Sequence, residues 1–126
     1  MNPPTDPRRA LGARGEALAA RHLEAHGYRI LARNPRAGGV ELDLVARRGP
    51  TVVFVEVKTR RSDRFGAPEL AVDAAKRARL VRGAQAWLAE QRVRARRIRF
   101  DVIAIAWPAQ GSVSLEHLEA AFDADD

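Results

Sequence analysis

The sequence predicts an α/β domain in which a mixed central sheet is flanked by helices. Two stretches, from about Leu11 to His26 and from Asp73 to Gln91, repeat apolar residues at helical spacing. Four segments near 28–33, 40–47, 51–59 and 98–106 are rich in β-branched and aromatic residues and are bounded by Gly and Pro. Their order is helix, three strands, helix and strand, with an edge strand after them. Short links make the first three strands a meander. The second helix is a crossover that returns strand 98–106 to its side, and so mixes parallel with antiparallel pairing.

At 126 residues with 46% hydrophobic content, the chain suits one domain with a single core. The expected division is a flexible tail over 1–10, the folded domain over 11–122 and an acidic tail over 123–126. Cysteine is absent, which excludes disulfides and thiolate metal sites. No apolar run approaches the roughly 18 residues of a membrane span. MNPPTDPRR lacks the apolar segment of a signal peptide, so the expectation is a cytoplasmic protein with no membrane partner.

The net charge of +6 is unevenly spread. Five carboxylates (Glu116, Glu119, Asp123, Asp125, Asp126) gather after residue 115, which leaves 22 basic and 11 acidic side chains before it, a net +11. Such a body fits a polyanion partner such as nucleic acid. A high-arginine composition with a solvated surface explains the same number. Twenty of the basic residues are Arg and two are Lys, Lys58 and Lys76. Lysine is the compact cation whose pKa moves when it is buried, so these two positions stand out.

Taken in order, the first helix opens near Leu11, buries Leu11, Leu18, Ala19, His22 and Leu23, and stops at Gly27. Glu16 lies in its first half. It is either a solvated carboxylate favoured near a helix start or a group that reaches a site. Strand 28–33 follows, then an Asn34–Gly39 loop with Arg33 and Arg36 at hand for a phosphate backbone.

Strands 40–47 and 51–59 flank Gly49-Pro50. If the loop is those two residues, Arg48 faces Thr51 and Asp43 faces Glu56. Glu56 and Lys58 then share one face of the strand. Residues 60–70 form the longest irregular segment, with Arg60, Arg61 and Arg64 leaving the Lys58 end and Phe65 an anchor or a wedge. Asp73 caps the second helix, whose buried stripe is Leu80, Ala84, Trp87, Leu88 and Gln91. Lys76 lies one turn before Leu80 and points back at the sheet, as a phosphate-side group or a snorkelling lysine. Five arginines in RVRARRIR (92–99) make the densest basic patch. Strand 98–106 carries Asp101 in an apolar run, a lesser candidate for the site, and Ser112–Leu118 is the edge strand.

The chemistry gathers at Asp43, Glu56 and Lys58. Two neighbouring carboxylates raise each other's pKa unless a cation stands between them. One or two carboxylates completed by water and phosphate are what Mg²⁺ accepts. A nearby Lys orients a water or neutralises charge on a phosphate. The plainer reading is a Glu–Lys pair at a strand end with Asp43 bonded to a turn.

These residues also carry a resemblance. Asp43 followed by Glu56-Val57-Lys58 resembles the D…(D/E)xK signature of restriction-endonuclease-like nucleases. Gly38 to Ala46 (GGVELDLVA), Phe54 to Arg60 (FVEVKTR) and Gly15-Glu16 onward resemble the YraN family of small bacterial proteins, which is related to archaeal Holliday-junction resolvases. The likeness runs from about Leu11 to about Phe122, and Val40 is a small departure within the first motif. It implies the restriction-endonuclease-like α-β-β-β-α-β core with one strand added, and an endonuclease dependent on Mg²⁺ or Mn²⁺ that acts on DNA, including branched or repair intermediates. Asp43, Glu56 and the Val57 carbonyl would hold the metal. Glu16, Asp43, Glu56 and Lys58 would be catalytic, and Arg60, Arg61, Arg64 and Lys76 would hold the nucleic acid. Cleavage of both strands of a junction would further require a homodimer. A nucleic-acid-binding module without the chemistry, or an adaptor subunit, is the alternative.

Overall fold

A computed structural model describes residues 6–62 and 72–124. Its elements are α1 (Pro7–Ala25), β1 (Arg29–Arg33), β2 (Arg36–Ala37), β3 (Val40–Glu41), β4 (Leu44–Arg48), β5 (Thr51–Arg60), α2 (Ala74–Gln91), β6 (Arg97–Ala106) and β7 (Ser114–Phe122). The main sheet runs β1-β4-β5-β6-β7, and β2 and β3 form a separate small ribbon. Among the described residues only β5 and β6 are parallel; every other strand pair is antiparallel. This is the mixed α/β architecture expected from the sequence, an α-β-β-β-α-β core with one edge strand added.

The two helices cover opposite faces. Along β5, Val53, Val55 and Val57 pack with Ala19, Ala20 and Leu23 of α1 and with Ile103 and Ile105 of β6. Val52 and Phe54 point the other way and join Leu80, Ala84 and Trp87 of α2 with Phe100 and Val102. The second core is built on aromatic contacts. Phe100 stacks on Phe54 and on Phe122, at centroid distances of 5.7 and 4.9 Å, and Trp87 meets Phe54 edge-on at 6.0 Å. Each such pair contributes about 0.5–1.5 kcal/mol beyond the area it buries. Because β5 is covered on both faces, it reads as a nearly continuous apolar run.

Several boundaries differ from the sequence expectation, each for a local reason. The first helix begins at Pro7, inside the stretch expected to be a tail. Asp6 caps it by accepting the Arg8 N–H at 3.0 Å, and Pro7 sits at the first helical position, where its missing N–H costs nothing. The stretch expected as one strand over 40–47 is broken. Gly38 and Gly39 adopt positive φ (57° and 74°) and close a tight turn that pairs Ala37 with Val40 and Arg36 with Glu41. The Asn34–Gly39 segment therefore contains β2, and the sheet strand starts only at Leu44. β7 reaches Phe122, beyond the expected Leu118.

Candidate active site

The site exists because β4 ends early. Its ladder with β5 runs from Arg48↔Thr51 at the two-residue turn to Leu44↔Val55, and stops there. The chain before Leu44 turns away, held by Leu42 N–H donating to Pro35 O and Asn34 N–H donating to Asp43 O, both at 2.8 Å. β5 continues to Arg60 with its β4-facing edge open. Val57 N–H on that edge donates to Asp43 Oδ2 at 2.8 Å. A residue in an extended strand turns its N–H and C=O to the same edge, so the Val57 carbonyl faces the same open edge as the N–H that Asp43 accepts. One more step of the ladder would set Asp43 opposite Glu56, the relation the turn length predicts.

Glu56 is 7% exposed and lies on the α2 face. Two lysines meet its Oε1: Lys76 Nζ from the first turn of α2 at 2.6 Å and Lys58 Nζ from two residues along β5 at 3.3 Å. Lys76 arrives there because Asp73 caps α2, accepting the Lys76 N–H at 2.9 Å, and because Lys76 is one turn before buried Leu80. A narrow crevice under α2 is lined by Leu42, Phe54, Leu80 and Phe100 together with Asp43 and Glu56.

Burial, and next the Glu56 carboxylate, push the Asp43 carboxyl up to about 7; the Val57 N–H pulls the other way. Glu16 adds to the rise and Lys76 opposes it. Burial lowers the Lys58 pKa, and the neighbouring Lys76 adds to this. Burial also works against the Lys76 ammonium, but its contact with Glu56 outweighs that and leaves its pKa above the ordinary value. Lys76 is thus a fixed charge, while Lys58 is the lysine that more readily gives up its proton.

These residues fit a hard divalent cation. Burial first, and then the Glu56 carboxylate beside it, raise the Asp43 pKa, and a cation would relieve both by neutralising the charge. The available donors are carboxylate and carbonyl oxygens from Asp43, Glu56 and Val57. Among the described residues no group of three or more His, Asp or Glu side chains is gathered to hold a metal. Two carboxylates suit Mg²⁺, which keeps several of its waters, better than ions that require a full protein cage.

Glu16 lies within electrostatic reach of Asp43, and its Oε1 accepts from Asn34 Nδ2 at 2.9 Å. Asn34, at φ 52°, is a residue that sequence reasoning missed, although Asn-Pro is a turn signal. Gly15 was noticed only as part of a motif. A Cβ there would collide with Thr59 of β5, so the glycine lets α1 lie close to the site strand. Arg61 donates to Trp107 O at 3.3 Å, and the Arg14 guanidinium lies 4.3 Å above the Trp107 ring. Arg60 gives its carbonyl to Trp107 N–H. Arg64 and Phe65 lie outside the described residues. Arg36 pairs with Glu41 at 3.8 Å, away from the carboxylate pair. Asp101 belongs elsewhere: its ion pairs are with Arg99 and His117, on the α1 face.

The fold and the cluster together define a mixed α/β domain with a buried carboxylate, a half-buried one and two lysines at the open end of a strand ladder. The chain belongs to Uncharacterised protein family UPF0102, whose profile matches residues 15–105; this is the YraN family its motifs resemble. It is 48% identical over 115 residues to a UPF0102 protein of Geobacter metallireducens, covering 91% of this chain and 93% of the relative. It is 52% identical over 109 residues to one of Beutenbergia cavernae, covering 86% and 92%. Among solved structures it is similar to SfsA of Pyrococcus furiosus, determined in complex with Ca²⁺, at a TM-score of 0.45 and 18% identity. That match covers 89% of this chain and 63% of the other. Among the described residues no helix is long and apolar enough to cross a membrane.

Proposed function

We propose that this chain is a Mg²⁺- or Mn²⁺-dependent endonuclease that acts on DNA, with branched or repair intermediates as the substrate class. The observation that carries this reading is Asp43, bonded to the Val57 N–H, lining one crevice with Glu56 at the open edge of β5, with Lys58 on the same Glu56 oxygen as Lys76.

Asp43, Glu56 and the Val57 carbonyl would hold the cation, which when bound supplies Lewis-acid activation of water and charge neutralisation at the phosphoryl group. Lys58 holds the attacking water on its ammonium or, once neutral, takes its proton. The new P–O bond forms as the ester P–O bond on the far side breaks, and the departing oxygen takes a proton from solvent. Lys76, kept charged by Glu56, faces the negative charge that grows on the phosphoryl oxygens. Glu16, held by Asn34, orders water beside Asp43. Arg60 and Arg61 hold flanking phosphates, and in this reading Arg64 joins them. A net +11 over residues 1–115 supports the polyanion partner.

The test is cleavage of a panel holding a four-way junction, a flap, single-stranded DNA and duplex, with Mg²⁺ or Mn²⁺, for wild type, Lys58→Ala and Asp43→Asn. Metal-dependent cleavage lost in both variants supports the reading. Folded protein that cuts nothing overturns it.

One observation favours a second reading, a binding module without chemistry. Lys76 already sits 2.6 Å from Glu56, so the carboxylate has a counter-charge with no metal. That reading predicts salt-sensitive DNA binding indifferent to Mg²⁺.

A further inference from the structure

The chain has three histidines, and all three meet on the α1 face of the sheet. His22 and His26 are one turn apart on α1, with ring centroids 4.3 Å apart. His117 comes from β7, and its Nδ1 lies 3.1 Å from His22 Nε2. None of these groups takes part in the chemistry proposed above.

The protonation pattern is dictated by the partners. His117 Nε2 lies 2.7 Å from Asp101 Oδ2. An ionised carboxylate only accepts, so Nε2 carries the hydrogen, and a neutral His117 offers its bare lone pair at Nδ1. His26 Nδ1 lies 2.7 Å from the His22 carbonyl and donates to it for the same reason. The proton between His22 and His117 therefore belongs to His22 Nε2.

Asp101 is built to hold this arrangement. It is fully buried, and Oδ1 accepts from Arg99 Nε at 2.8 Å and from Ala120 N–H at 3.0 Å. Its Oδ2 takes Arg99 and His117. Arg99 in turn donates to the Tyr28 hydroxyl. Burial alone would push the Asp101 carboxyl up, but these hydrogen bonds outweigh it and hold it below the ordinary value. A buried carboxylate that fixes the tautomer and orientation of a histidine whose other nitrogen faces a second histidine is the outer shell of many zinc sites.

We propose that His22 Nε2 and His117 Nδ1 form a two-histidine site for a borderline transition-metal cation, Zn²⁺ in the first instance, oriented by Asp101 and tying edge strand β7 to α1. The spacing fits. Tetrahedral Zn–N bonds of about 2.0–2.1 Å set neighbouring ligand nitrogens about 3.3 Å apart, a few tenths beyond the observed gap. Imidazole suits this ion, whereas the oxygens around Asp43 suit Mg²⁺, so the two sites differ in the cation they select. Entry of the ion requires the His22 proton to move from Nε2 to Nδ1, so that the neutral ring presents a bare Nε2, with water completing the coordination. Among the described residues β7 pairs only with β6, so a cation at this point would clasp this edge strand to a helix.

The full chain is titrated with Zn²⁺ and followed by thermal unfolding, with Co²⁺ absorption as a direct probe of coordination. One ion per chain is expected, with a rise in Tm of about 5–10 °C when free zinc stands about a hundredfold above its dissociation constant. The rise persists in Asp43→Asn and is reversed by a chelator. It is lost in His22→Gln, whose site is partly exposed, and in His117→Gln. Retention of the shift in His22→Gln, or no shift and no cobalt spectrum in wild type, overturns the proposal. A shift lost only in Asp43→Asn assigns the binding to the carboxylate site and overturns it equally.

Discussion

Lys76 Nζ stands 2.6 Å from Glu56 Oε1, closer than Lys58 Nζ, which reaches the same oxygen at 3.3 Å. The two lysines therefore divide their duties. Each side chain is about a quarter exposed, at 27% and 28%, while Glu56 is 8% exposed, so the carboxylate is the group that cannot do without a partner. Lys76→Met is expected to cost about 1–3 kcal/mol of stability, because it leaves a buried charge short of its nearest counter-ion. Lys58→Met should cost less than about 1 kcal/mol. In a cleavage assay the order reverses, and Lys58→Met loses the larger factor, about a hundredfold or more. Chemical denaturation beside single-turnover cleavage checks both halves.

Asp43 sets the sign of one pH dependence. Its folded pKa of about 7 is above its ordinary 3.8, so the native state binds more protons than the unfolded chain between those values. The stability tied to this group is present below pH 3.8 and is lost as pH rises through about 7. Asp43→Asn keeps an oxygen for the Val57 N–H and removes the charge. It is expected to be more stable than wild type by about 1–3 kcal/mol at pH 8 and nearly equal to it at pH 4. Mg²⁺ should narrow the gap at pH 8 by stabilising wild type alone. Denaturant midpoints at the two pH values test this.

Asp101 works in the opposite direction. Its folded pKa lies below the ordinary 3.8, so its contribution is present above that value and is lost as pH falls through the lower one. Asp101→Ala is expected to cost about 3–5 kcal/mol, the largest single loss among these positions, since Arg99 and His117 would both lose their anchor. Thermal unfolding at neutral pH reads this directly.

Gly15 and Thr59 form a contact pair between α1 and the site strand. The Thr59 hydroxyl is buried with no hydrogen-bond partner, so it loses little when replaced. Thr59→Val is expected to be neutral or stabilising by up to about 1 kcal/mol. Gly15→Ala places a methyl group against Thr59 and should cost about 1–3 kcal/mol. Loss of stability in Thr59→Val would mean that the hydroxyl has a water partner.

Much of this molecule was legible beforehand, and the limits are informative. The strands and helices announced themselves by period, and the Gly49-Pro50 turn gave a register that brought Asp43 to the level of Glu56. Lys76 was placed toward the sheet by its spacing from Leu80. The break between β3 and β4 was less legible, because Val40 to Arg47 alternates as one strand should. The positive φ at Gly38 and Gly39 folds the ribbon on itself, and the backbone bonds from Leu42 to Pro35 and from Asn34 to Asp43 hold it off the sheet. Asp101 looked like a lesser candidate for the carboxylate site. Strand alternation sends its side chain to the opposite face from Glu56, and its partners, His117 and Arg99, were not foreseen. The start of α1 at Pro7 was written in Asp6-Pro7 but hidden by proline content that suggested a tail.

Val55 is paired with Asp101 and Glu56 with Val102 in the parallel ladder at the centre of the sheet. The middle of the domain thus carries a buried negative charge on each face, one residue step apart. Glu56 is answered by Lys76 of α2, and Asp101 by Arg99 of β6 and His117 of β7. Neither carboxylate can be left alone, so a partly assembled sheet that lacks α2 or β7 is penalised at its own core. Such an arrangement discourages either layer from peeling away by itself and makes unfolding an all-or-none event. Hydrogen exchange is expected to show amides of α2 and β7 opening together with those of β5, not ahead of them.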